Sequence, residues 1–166
     1  MIRRLDGLDR PSLAQLVDVL VACVDDGASI GFLPPLDPTE AEAYWLGVPK
    51  PGVVLLVAHD DAGAIVGTVQ LHLESRPNGR HRAEVAKLMV HPRARRRGIA
   101  RRLMHEAEAI ARAEDRTLLV LDTRAGDPSN DLYRSLGWVE AGRIPGYAIS
   151  ATGSRDATVI YYKELR

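Results

Sequence analysis

Six of the chain's 19 arginines fall between Arg93 and Arg102, grouped around a single glycine, Gly98. Charge concentrated in this way is either a solvated face or a site for an anion. The residues downstream bear on the choice: from Ile99 the apolar positions Leu103, Ala107, Ile110 and Ala111 recur at helical spacing, so Arg95-Arg96-Arg97-Gly98-Ile99-Ala100 is a turn that opens a helix. The first N–H groups of a helix lack intrahelical partners and its dipole favours negative charge there, which suits a phosphate or pyrophosphate. Gly98 lets the anion come close to the backbone, and guanidinium groups can add charge-assisted bonds from the rim. Neither GxxxxGK[ST] nor GxGxxG occurs, so the turn is not a P-loop or a dinucleotide fingerprint.

Other chemistries find little support. The only cysteine, Cys23, lies inside an apolar helical pattern, which excludes an intramolecular disulfide and points to packing rather than nucleophilic work. The five histidines, at 59, 72, 81, 91 and 105, show no HxH or HExxH spacing, so no metal site is expected. The 22 basic residues balance the 22 acidic ones, which removes the general electrostatic case for nucleic acid as a partner. No apolar run approaches the roughly 20 residues of a membrane helix, and MIRRLDGLDR has no signal-like core. A soluble cytoplasmic protein without membrane or nucleic-acid partners is expected. At 166 residues with 46% hydrophobic content, residues 1–166 should form one domain.

The elements that must position the arginine turn can be followed along the chain. Ile2–Leu5 reads as a short edge strand. Leu13, Leu16, Val17, Leu20, Val21 and Val24 mark an amphipathic helix that stops near Gly27. Asp37-Pro38-Thr39-Glu40 supplies a cap, a first-turn proline and a carboxylate, so a shorter helix starts there and ends near Gly47. The intervening loop, with Phe32, Pro34 and Pro35, is placed to line a pocket or simply to pack. From Val53 three antiparallel strands follow: VVLLVA, AIVGTVQLHL and HRAEVAKLMV, the last running into the arginine turn. TLLVLD, 117–122, is a buried strand parallel to 84–90 across the intervening helix, a βαβ unit. A short helix at 130–136 and two strands, WVEAGRI and ATVIYYKEL, close the chain. The expected class is α/β: a mixed, mostly antiparallel sheet with one parallel pair, flanked by helices.

EVAKLMVHPRARRRGIARRLM, followed by LLVLD and SNDLYRSLGW, resembles the acetyl-CoA-binding core of the GCN5-related N-acetyltransferases. R-R-R-G-I-A matches the superfamily's [QR]-x-x-G-x-[GA]. HRAEVAKLMVHP, LDT and IPGYA…ATVIYYKEL are most similar to the tabtoxin resistance protein and its acetyltransferase relatives. The likeness is strong over 81–165 and rests mainly on element order over 1–80.

This resemblance implies the acyl-CoA N-acyltransferase fold and an enzyme that moves acetyl from acetyl-CoA to the amine of a small molecule, an amino-acid-like toxin or antibiotic among the candidates, by direct attack in a ternary complex. It implies that Arg95, Arg96, Arg97, Gly98, Ile99, Ala100 and Arg101 hold the pyrophosphate, largely through main-chain amides. Main-chain groups at a bulge over Leu88, Met89 and Val90 would bind the pantetheine arm and the thioester oxygen. Glu84 and Asp122 match acidic positions with catalytic roles and are the candidate bases; as plain surface groups they would be an ion-pair partner of Arg82 or Lys87 and a loop cap. Tyr133 matches a tyrosine that protonates the leaving thiolate, against a reading as a core aromatic. Asn130 is placed to bond the cofactor arm or to cap its helix. His81, Phe32, Tyr44, Trp45 and Tyr147 could shape the acceptor pocket, although packing explains most of them. A non-catalytic acyl-CoA sensor is the alternative function, and the assembly is a monomer or a homodimer.

Overall fold

The computed structural model describes residues 1–165. Seven strands form one sheet in the order β1 (Ile2–Leu5), β2 (Val53–His59), β3 (Ile65–Leu73), β4 (Arg82–Val90), β5 (Leu118–Arg124), β7 (Arg155–Glu164), β6 (Val139–Ile149). Every neighbouring pair is antiparallel except β4 and β5, which are parallel as the βαβ pattern requires. That parallel contact is short. Only Arg82, Ala83 and Glu84 pair with β5, opposite Leu118, Leu119 and Val120.

Helices cover both faces. Helix α1 (Arg10–Asp25) starts where Asp9 accepts the Ser12 N–H at 2.8 Å, and α2 (Pro38–Leu46) where Asp37 accepts that of Thr39 at 2.7 Å. Their apolar residues, among them Leu16, Leu20, Val24 and Trp45, pack on Leu55, Val57 and Met89 over the N-terminal half of the sheet. On the other face α3 (Ile99–Ala113) lays Ile99, Leu103, Met104, Ala107 and Ala111 against Val69, Val85, Leu119 and Tyr161, and Tyr133 of α4 (Ser129–Ser135) joins that core. Gly67 of β3 lets α3 come close: a Cβ there would lie 3.0 Å from the Met89 carbonyl and 3.3 Å from Leu103 Cδ1. No helix of the described residues is long and apolar enough to cross a membrane.

Two elements run further than their sequence indicates. β5 continues past Asp122 to Arg124, and β6 runs through Pro145 and Gly146 to Ile149. A proline normally ends a strand because it cannot donate to the ladder; here β6 is the outermost strand and its register slips between Ile144 and Ala148, where Pro145 is tolerated.

Leu103 is fully buried between α3 and the sheet. Leu103→Ala should therefore lower unfolding stability by about 2–5 kcal/mol, read as an earlier urea midpoint at unchanged slope.

Candidate active site

The chain puts one residue too many into β4. Across β3 the pairs run Gln70 to Ala86 and then Thr68 to Met89, so Lys87 and Leu88 together face Val69 alone. Lys87 has φ +52, a left-handed conformation that such a β-bulge supplies. The bulge predicted over Leu88, Met89 and Val90 is thus centred a little earlier, on Lys87 and Leu88. The apolar spacing carried the signal: Ala83, Val85, Leu88 and Val90 all pack toward the α3 core while Met89 packs toward α1, a change of phase that one extra residue causes.

Beyond Glu84 the strands part, and a cleft of about 450 Å³ opens between them. Its walls include Glu84 to Leu88 of β4, Asp122 to Arg124 of β5, Tyr133 of α4, Tyr147 of β6, Thr158 of β7 and the loop Ala28–Gly31. Three sequence-predicted residues from three elements, Glu84, Asp122 and Tyr133, therefore meet in one space. Lys87 also faces it, and its ammonium donates to the Ile30 carbonyl at 2.7 Å and lies 5.9 Å from the Tyr44 ring centre, fastening the loop to the bulge. Burial pushes this ammonium below its ordinary range, while the carboxylates of Asp122 and Glu84 pull the other way.

Glu84 is exposed at the cleft, and the cations next to it are engaged elsewhere: Arg82 with Glu74 at 3.2 Å, Lys87 with the loop. Asp122 is no loop cap. It lies inside β5 and accepts the Thr158 hydroxyl at 2.8 Å. Tyr133 is 5% exposed and packs against Trp138 and Tyr161, so it is a core aromatic whose edge reaches the cleft. Burial, reinforced by Asp122 and Asp127, pushes its phenol far above the usual tyrosine range, so its proton stays on across neutral pH.

Asn130 is bonded on both sides of its amide by protein groups. Its amide nitrogen donates to the carbonyls of Arg124 and Asp127 at 2.9 and 2.8 Å, and its oxygen accepts the Tyr161 hydroxyl at 3.0 Å. Both amide hydrogens are used, so no donor is left for a cofactor arm. Nor is it the cap, a position held by Pro128. Asn130 instead holds the 124–127 loop onto β7.

At the far end of β4 the chain turns through Pro92–Ala94 into α3. Arg96 and Gly98 have φ +63 and +71, and Arg102 is the first residue of α3 whose N–H reaches back to a carbonyl, that of Gly98, at 3.1 Å. The amides of Ile99, Ala100 and Arg101 stand at the open end of the helix, as an anion site needs. The arginine side chains divide the work. Arg95, itself exposed, bonds Asp26 and the Val90 carbonyl, Arg101 bonds Ser135 Oγ at 2.8 Å, and Arg96 and Arg97 are exposed on the rim. The cleft wall includes Leu88 but not Met89, whose side chain is buried under α1, nor Val90, whose carbonyl also accepts the Cys23 thiol.

Of the aromatic candidates, Tyr147 lines the cleft, Tyr44 stands beside Lys87 with Phe32 against it, and Trp45 is wholly core. Residues that sequence reasoning passed over, namely Lys87, Arg124, Ser129 and Thr158, also line the cleft. A lysine within the apolar run VAKLMV was the one available sign for Lys87.

A parted parallel strand pair, a bulge at the parting and an open helix end beyond it are the features that the resemblance to acetyl-CoA-dependent acetyltransferases implies. Comparison with known proteins agrees. Residues 20–138 match the acetyltransferase (GNAT) family. The chain is 36% identical over 126 residues to an N-acetyltransferase from the hisH-hisA intergenic region of Azospirillum brasilense, covering 74% of each. Its fold is similar to the ribosomal-protein-alanine N-acetyltransferase of Brucella melitensis (TM-score 0.83, 24% identity, 99% of each chain). It is also similar to a phosphinothricin acetyltransferase of Sinorhizobium meliloti in complex with acetyl-CoA (TM-score 0.82, 20% identity, 99% of this chain and 88% of that one). The chain belongs to the GNAT acetyltransferase family. It is an N-acetyltransferase, with acetyl-CoA as cosubstrate.

Asn130→Ala would strand buried polar groups of Tyr161 and the 124–127 loop. It should cost about 1–3 kcal/mol of stability, seen as a lower Tm, and leave the affinity for acetyl-CoA measured on the folded variant close to wild type.

Proposed function

We propose that this enzyme acetylates the primary amine of a small molecule by direct attack in a ternary complex, with Glu84 as base, Asp122 beside it and Tyr133 as acid. The observation that carries this reading is the convergence of these three side chains with the Lys87–Leu88 bulge on one cleft. Acetyl-CoA supplies the acetyl group on a thioester. The open amides of Ile99, Ala100 and Arg101, with Arg96 and Arg97 on the rim, suit its pyrophosphate, and the unpaired edge of β4 from Leu88 onward suits the amide-bearing arm, bound as an added strand.

An amine attacks only when neutral, so a base must first remove a proton from its ammonium form. Glu84 is free of ion pairs among the described residues and open to the cleft; it accepts that proton directly or through water. Asp122, held by Thr158, keeps a second negative charge beside the amine and raises the local concentration of cations. Main-chain N–H groups at the bulge donate to the thioester oxygen as charge develops on it. Tyr133, its proton retained by burial, gives a hydrogen bond or proton to the departing sulfur. Cys23 lies on the buried face of α1 with its thiol on the Val90 carbonyl, remote in kind from a nucleophile, so an acetyl-cysteine route finds no support.

The finer reading places the chain near the tabtoxin resistance enzyme, with an amino-acid-like toxin as acceptor. Similarity in fold to an acetyltransferase named for phosphinothricin, at 20% identity, supports only that small amines are the class to try. The chain acts in this proposal as a single cytoplasmic domain.

Calorimetric titration should give micromolar binding of acetyl-CoA, well above ATP. Glu84→Gln and Tyr133→Phe should each lower kcat about a hundredfold in a free-thiol assay over a panel of amines, with acetyl-CoA binding retained. Full turnover in both variants would overturn the assignment.

A further inference from the structure

Behind Glu84 the sheet carries a line of polar side chains that the proposed mechanism leaves unused. His72 of β3 stands directly opposite Glu84 in the antiparallel register, so the two side chains share a face as nearest cross-strand neighbours. Next along β3, Gln70 is 1% exposed, and a buried amide must find partners at both ends. Its nitrogen donates to Tyr44 Oη at 2.8 Å, which leaves its oxygen to face His72 Nε2 at 2.9 Å. An amide oxygen can only accept. His72 must therefore carry its proton on Nε2, and Nδ1 keeps the lone pair.

Such a chain is an expensive thing to place on a sheet whose other buried positions in β3 are almost all apolar. Gln70 could be a leucine if only packing were required. The arrangement instead fixes one tautomer of one imidazole beside the carboxylate proposed as base. We propose that His72 is a proton relay acting through Glu84, held in its accepting tautomer by Gln70 and Tyr44. The inference rests on the reading of Glu84 as base.

The protons balance as follows. An ammonium acceptor loses two protons on becoming an amide. One ends on the thiolate, the task given to Tyr133. The other breaks from nitrogen and forms an O–H bond on Glu84; that bond breaks in turn as a bridging water takes the proton and passes one of its own to Nδ1 of His72, its cross-strand neighbour, and the imidazolium, half-buried at the edge of the α2-covered face, releases it to solvent. Glu84 is thereby restored as a carboxylate without the acceptor leaving. His72 touches neither the acceptor nor the thioester, so it is a positioning residue.

The charged and titratable groups around the imidazole are Glu84 of β4, Lys87 at the bulge, Lys50 ahead of β2 and Tyr44 of α2. Burial holds His72 below the ordinary histidine range, with Lys50 and Lys87 acting in the same direction and Glu84 opposing them. The imidazole is thus neutral and able to accept at neutral pH.

His72→Gln keeps an amide N–H for Gln70 but has no basic lone pair. With the amine that gives the fastest thiol release, it should lower kcat about tenfold and move the acid limb of the pH–rate profile, with the affinity for acetyl-CoA unchanged. Nitrogen NMR of the intact protein gives a second measurement that does not depend on that variant folding. His72 should be protonated on Nε2, with a titration midpoint that falls in Glu84→Gln and rises in Lys87→Met. Protonation on Nδ1, a midpoint indifferent to Glu84, or a His72→Gln enzyme with wild-type rate and pH profile would overturn the relay. Undiminished turnover in Glu84→Gln would remove the base reading itself, whereas a slowed Glu84→Gln beside an unaltered His72→Gln would overturn the relay alone.

Discussion

The parting of β4 from β5 after three residue pairs is the constraint from which the rest of the site follows. β4 is anchored to β3 from Ala83 to Val90, and β5 is anchored to β7 over all seven of its residues, so each strand is held by its outer neighbour while the contact between them lapses. A sheet seldom leaves such a gap, because each backbone polar group without a partner costs about 1–3 kcal/mol when buried. Around the gap, α3 and Tyr133 of α4 belong to the core on one face, and the 28–31 loop lines the cleft. A ligand with its own amide groups can complete what the sheet leaves open.

The extra residue at Lys87 adjusts both faces at once. Upstream of it, Ala83 and Val85 point to the α3 core and Glu84 to the cleft. Downstream, Leu88 and Val90 take over the α3 side and Met89 turns to α1. Without the insertion the strand would either expose its apolar residues or bury Glu84, since a shift of one residue reverses every side chain. The bulge therefore reconciles a first half of β4 that opens Glu84 to the cleft with a second half packed against a core on each face. Lys87, the residue that takes the positive φ, uses its long side chain to tie that irregular point to the loop above it.

Much of this was legible in the chain. Asp37 and Pro38 announced the start of α2, the apolar spacing from Leu13 announced α1, and the order strand, basic turn, helix, apolar strand announced the parallel pair. Gly98 marked the turn because its left-handed backbone is one that glycine adopts without strain. What escaped was set by partners distant in sequence. Asn130 looks like a motif residue until Tyr161, 31 positions on, claims its oxygen. Asp122 seemed to end its strand because Thr123 and Arg124 look like loop residues, yet both pair with β7 through Val159 and Thr158. Pro145 and Gly146 looked like the end of β6, because no local pattern tells an edge strand from a turn.

Charge gives the cleft a direction. At the helix end of β4, Arg96 and Arg97 face solvent beside open amides. At the other end, Arg124 is offset by Asp127 at 2.8 Å and Asp156 at 3.8 Å, and the Lys87 ammonium is partly taken up by a carbonyl, while Glu84 and Asp122 have no cation bound to them among the described residues. A molecule that is anionic at one end and is met by a cation at the other can settle in this groove in one orientation only, with its phosphates at the turn. The zero net charge of the chain conceals this polarity. A balanced total of acids and bases argues against a polyanionic partner, but it leaves room for two opposite local fields about one strand's length apart, and here the strand that separates them is β4.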